Sequence, residues 1–230
     1  VERGRFRPVT HVNIDMLNAA RKQFEAEDDS GPEDTISIME ITMHHLRDDN
    51  DSVDLEDFIS RAEVLEATGH TVMISDYPEY YRLATYLSRY TNRRIGMAMG
   101  AHSLIDLFDD RYYATLLGGI LEGFGRLFKN NVKLYIYPYK DAATNTLFKV
   151  DNLNVDEKQT YLYDYLKQGD HIKQIEAFNE DYLHIFSPDV LKMITSNQMG
   201  WEKLVPDVVA QKIKTQQLFG YKNRRLVGIP

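Results

Sequence analysis

The 230-residue sequence has no cysteine, which excludes disulfide frameworks, thiol nucleophiles and Cys-ligated zinc or iron–sulfur centres. Its expected compartment is therefore the reducing cytoplasm. No stretch approaches the roughly 20 apolar residues of a membrane helix. The opening, Val1 to Pro8, carries three Arg and no apolar signal core, so neither a spanning segment nor an export signal is expected. With 13 Gly and 7 Pro the chain is not fibrous or of low complexity, and it has no internal repeat. A composition of 43% hydrophobic and 27% charged residues fits one large globular domain or two small ones.

The net charge of −8 is local in origin. Between Glu25 and Glu66, 15 Asp and Glu stand against Arg47 and Arg61 alone, whereas both ends are basic: Arg3, Arg5 and Arg7 at one, Lys212, Lys214, Lys222, Arg224 and Arg225 at the other. Five basic residues with no repeated aromatic interleaving, on an acidic chain, argue against nucleic acid as a partner.

Hydrophobic periodicity predicts a three-layer α/β fold, a mainly parallel Rossmann-like sheet of four or five strands with a C-terminal helical extension. Residues 1–34 read as a charged arm and a helix, a linker from a missing N-terminal half. Residues 35–141 read as the α/β core. Its strands are Thr35 to Met43, Thr71 to Ser75, Arg94 to Met99 and Val132 to Tyr137. Asp54 caps a helix that ends at Gly69, and Ser103 caps a short one. Residues 142–230 read as mainly helical and packed on the core, with helices near Glu157 to Gln168, Pro188 to Thr195 and Asp207 to Gln216. Ser187 before Pro188 is a helix-start signal.

In an open parallel sheet, ligands bind beyond the carboxyl ends of the strands. That rule selects two loops. The first runs from Ser75 to Arg82, where Ser75, Asp76, Tyr80 and Arg82 are candidate ligands of an anion at a helix N-terminus; capping by Ser75 or Asp76 is the alternative. The second is Gly100, His102 and Ser103. His102 is the best-placed imidazole, and paired with Asp76 it makes a candidate acid/base couple if the two strands are neighbours. The glycines from Gly118 to Gly125 keep helical period and read as close helix packing, with Glu122 and Arg126 an i,i+4 pair. No metal site is expected: His44 and His45 are adjacent on an extended segment, and Asp48 to Asp57 lacks the Gly and terminal Glu of a calcium loop. No cofactor fingerprint occurs.

Four stretches, Val1 to Leu17, Thr71 to Thr91, Tyr112 to Pro138 and Leu218 to Tyr221, resemble the C-terminal half of an uncharacterised bacterial family with inconsistent names. One, TonB-dependent receptor, implies an outer-membrane β-barrel, which four strands alternating with helices do not make. The other, nicotinate-nucleotide adenylyltransferase, implies His-x-Gly-His after the first strand and Ile-Ser-x-Thr-x-x-Arg later. This chain offers only Gly69-His70, before a strand, and Ile74-Ser75-Asp76. Gly69, its strand and Ser75 also bear a fainter similarity to the second motif of haloacid-dehalogenase-type phosphotransferases. Glu40-Ile41-Thr42 replaces the expected Asp-x-Asp there, and Gly100-Ala101 the expected Gly-Asp.

Two readings stay open. One is a cleft for a small phosphorylated or carboxylated ligand, completed by the N-terminal half of a longer polypeptide. The other is a non-catalytic assembly domain, a homo-oligomer or interdomain contact built on the 15 Tyr.

Overall fold

A computed structural model describes residues 1–28, 31–43, 54–129, 131–141 and 143–222. His44 and His45, the start of the Asp48 to Asp57 run and the basic Arg224 and Arg225 lie outside the described residues. In chain order the elements are β1 (Glu2–Arg3), α1 (His11–Asp28), β2 (Ile38–Thr42), α2 (Leu55–Ala67), β3 (Thr71–Ser75), α3 (Tyr80–Leu87), β4 (Ile95–Gly100) and α4 (Ala101–Leu107). There follow α5 (Gly119–Phe128), β5 (Val132–Tyr137), a hairpin of β6 (Tyr139–Lys140) and β7 (Leu147–Phe148), α6 (Thr160–Gln168), β8 (Ile172–Gln174), α7 (Ser187–Thr195) and α8 (Asp207–Gln216).

The central sheet has six strands in the order β3-β2-β1-β4-β5-β8, and every pair is parallel. Because side chains alternate across a strand, each buried strand feeds two cores. Val132, Leu134 and Ile136 of β5 join the layer of α3, α4, α5 and α6. Lys133, Tyr135 and Tyr137 turn toward α1, where Lys133 Nζ meets Glu27 at 2.8 Å and the Tyr137 hydroxyl donates to Asp15 at 2.7 Å. Met39 and Ile41 of β2 pack with α1, α2, α7 and α8 on that same side. The fold is thus a three-layer α/β, Rossmann-like sandwich, and among the described residues no helix is long and apolar enough to cross a membrane.

Local chemistry sets the helix ends. Asp54 accepts the Asp57 N–H at 3.0 Å to open α2, and Gly69, at φ 74°, follows its C-terminus, where a Cβ would be strained. The glycines of α5 serve packing: a Cβ on Gly123 would lie 2.2 Å from the Tyr113 ring.

Four expectations are corrected. The arm at residues 1–34 contains β1, which lies in the middle of the sheet between β2 and β4; its two residues, Glu2 and Arg3, are charged and show no apolar run, so periodicity passes them over. The extension at 142–230 contributes the sixth strand, β8, because Ile172 alone of its three residues is fully buried and the signal is short. Ser103 does not cap α4: Gly100 precedes the first helical residue and Ser103 stands inside the helix. Likewise Ser187 is the first residue of α7 rather than its cap, and its hydroxyl donates to the Pro8 carbonyl at 2.9 Å.

Candidate functional site

The strand order divides the candidates. β3 and β4 are separated by β2 and β1, three spacings or about 14 Å. The condition for an Asp76–His102 couple is therefore not met, and the loops after β3 and β4 do not form one cleft.

The loop after β3 is sealed by its own contacts. Ser75 is buried and its hydroxyl donates to Glu40 Oε1. Glu40, in the middle of β2, also takes Arg3 Nε at 2.6 Å and Nη2 at 3.3 Å. Arg3 spends its remaining donors on the carbonyls of Pro78 (2.8 Å) and Tyr77 (2.6 Å), and its guanidinium lies 4.7 Å over the Tyr80 ring. The Tyr112 hydroxyl accepts the Tyr80 N–H at 3.0 Å and donates to Pro78 O at 3.1 Å, so the start of α3 is already satisfied. Burial pushes the Tyr80 phenol up, away from proton transfer near neutrality. Arg82, half exposed, pairs with Glu79 at 2.9 Å. Asp76 is exposed at the loop's rim. This arrangement braces β1, β2 and β3 and leaves Arg3 and Arg82 engaged.

The chain leaves β1 toward β2 and β3 but leaves β4 toward β5 and β8, so the order reverses between β1 and β4. Such a switch point is where open α/β sheets seat ligands. Beyond β4 stand Gly100, extended at φ −71°, the exposed His102 with its ring tilted 30° against Tyr139 (centroids 3.7 Å apart), and the half-buried Ser103. Beyond β1 the chain continues as the loop from Gly4 to Thr10, where the Arg5 carbonyl accepts Arg61 Nη1 at 3.3 Å. Gly4 N–H extends the ladder to Glu40 O at 3.1 Å. Arg5 is exposed, and among the described residues its guanidinium has no partner. Arg7 is held by Asp57 at 2.6 Å.

Beneath that loop Asn13 joins α1 to β1. Its Oδ1 accepts the Thr10 N–H (2.9 Å) and hydroxyl (3.0 Å), and its Nδ2 donates to Glu2 Oε1 at 2.8 Å. Glu2 is 1% exposed, its Oε2 has no hydrogen-bond partner among the described residues, and burial pushes its carboxyl up to about 8, which favours the protonated form near neutrality.

Sequence reasoning missed Glu2, Arg3, Arg5, Thr10 and Asn13. One signal was available: Glu40, alone among apolar neighbours in a strand, demands a buried cationic partner. A search of protein-family models and of curated proteins finds no match to the chain.

Proposed function

We propose that the chain is a cytoplasmic binding domain for a small phosphorylated or carboxylated molecule, seated at the switch point between β1 and β4. The observation that carries this reading is the reversal of strand order beside Arg5, an exposed cation without a partner among the described residues. Arg5 supplies the charge, and Gly100, His102 and Ser103 the positions beyond β4. Ser75, Tyr80 and Arg82 stand outside the site as a structural brace.

The test is a thermal-shift panel of plain phosphate, sugar phosphates, nucleotides and dicarboxylates. A ligand at 100 times its dissociation constant stabilises by about 2.7 kcal/mol, a shift of several degrees at this size. Arg5→Ala is expected to abolish the shift; an unchanged shift in that variant overturns the reading.

Assembly is the second reading, favoured by the exposed Tyr161 and Tyr165 on α6 and Leu117 and Leu121 around the start of α5. A chain that stays monomeric by light scattering at high concentration counts against it.

A further inference from the structure

At the opposite, amino-terminal edge of the sheet, a cavity of about 310 Å³ lies in line with β1. Its apolar walls come from both layers, Leu17, Ala20 and Phe24 of α1 on one side and Leu87 and Tyr90 of the α3 end on the other, with Val1 at its head; Arg21, Asp34, Arg93 and Arg94 also line it. β1 is two residues long, whereas its neighbours β2 and β4 run to five and six. Between β2 and β4 the space is two strand spacings, about 9.6 Å, which takes one extended backbone and little else.

We propose that this slot seats an extended apolar segment covalently continuous with Val1, lengthening β1 by about three residues between β2 and β4. Val1 already makes both bonds of a parallel ladder: its nitrogen donates to Gly96 O at 2.7 Å and its carbonyl accepts the Ala98 N–H at 2.8 Å. Its backbone therefore points down the slot. Glu2 stands opposite Met39 and Ala98. By the same register the residue joined to Val1 falls opposite Ser37 and Gly96, and the one before it opposite Ile36 and Ile95.

The period of two assigns the side chains. Glu2 faces α1 through Asn13, and Val1 packs in the other layer with α3 to α6. The residue next to Val1 thus turns toward Leu17, Ala20 and Phe24, and the one before it toward Leu87 and Tyr90. Both positions call for apolar side chains, and the backbone between them satisfies donors and acceptors of two central strands at once.

The test compares the 230-residue chain with two versions carrying three residues ahead of Val1, one Val-Ile-Val and one Asp-Gly-Asp. The apolar extension is expected to raise the melting temperature by roughly 4 °C or more and to slow amide exchange at Gly96 and Ile38 at least tenfold; the polar one is expected to do neither. Equal melting temperatures and exchange rates for the two extensions overturn the proposal. So does a free Val-Ile-Val tripeptide that stabilises the unextended chain as much as the fused one, because the seat would then not require continuity with Val1.

Discussion

Arg3 and Glu40 form an ion pair across the β1–β2 boundary, Nε to Oε2 2.6 Å, with side chains only 4% and 0% exposed. Neither charge reaches water, and both are saturated by further bonds from Ser75, Tyr77 and Pro78. The pair fixes which two strands are neighbours, since a slip of one residue turns both side chains to the opposite layer.

Removing one partner strands the other charge. Arg3→Met or Glu40→Met is expected to cost about 3–5 kcal/mol, whereas replacing both with Met costs much less. Ser75→Ala is expected to cost about 1 kcal/mol. Urea denaturation of the three variants and the double mutant gives the coupling directly. A double-mutant loss equal to the sum of the two single losses would remove the pair from any role in stability.

Glu2 makes stability depend on pH with a definite sign. Below its ordinary value of 4.5 both folded and unfolded chains are protonated at this position; between 4.5 and about 8 the folded state alone keeps the proton. The Glu2 contribution is therefore fully present below 4.5 and is lost as pH rises through about 8, a total of roughly a few kcal/mol. Denaturation of wild type and Glu2→Gln at pH 5, 7 and 8.5 checks it. The variant is expected to gain on the wild type as pH rises, and a constant difference would contradict the shift.

Gly123→Ala forces a methyl group against Tyr113, whose hydroxyl is anchored to Leu107 O at 2.8 Å and whose ring cannot withdraw. A loss of about 1–3 kcal/mol is expected. Thermal unfolding measures it, and Gly125→Ala, with open space at its Cβ, is the control expected to be neutral or stabilising.

Arg82→Ala separates the brace from the proposed site. The Arg82–Glu79 pair is exposed on one side, so stability should change by less than about 1 kcal/mol. Affinity for any anion bound at Arg5 should not change. An Arg82→Ala variant that loses binding, in the same panel where Arg5→Ala keeps it, would move the site to the β3 edge.

The apolar strands were legible because burial on both faces writes a continuous hydrophobic run, as in Val132 to Tyr137. The helices of the core were legible through caps such as Asp54 and breakers such as Gly69. β1 was not, because its two residues find their partners in tertiary contact, Glu2 in Asn13 and Arg3 in Glu40, and no local pattern records that. The same blind spot hid most of the proposed site. Gly100, His102 and Ser103 were found by a rule about strand ends, but the proposed pairing with Arg5 required the strand order, and with it the knowledge that two strands lie between β3 and β4. Tyr80 and Arg82 looked free in sequence; their partners Tyr112 and Arg3 come from remote segments and Glu79 from a neighbour that also reads as an ordinary helix-start acid.

The hydrogen bond from Ser187 to Pro8 spans 179 positions. Together with α8, whose Val209 and Ile213 pack in one core with Met39 of β2 and Leu65 of α2, it closes an earlier-made half of the sheet with a segment made later. At ribosomal speeds of about 5–20 residues per second, roughly ten to forty seconds separate the two. During that interval the apolar face of β1 to β3 has only part of its cover. Truncation before α7 should therefore yield a sticky, aggregation-prone chain rather than a smaller stable one, and newly made chains should be clients of general chaperones until the last helices dock.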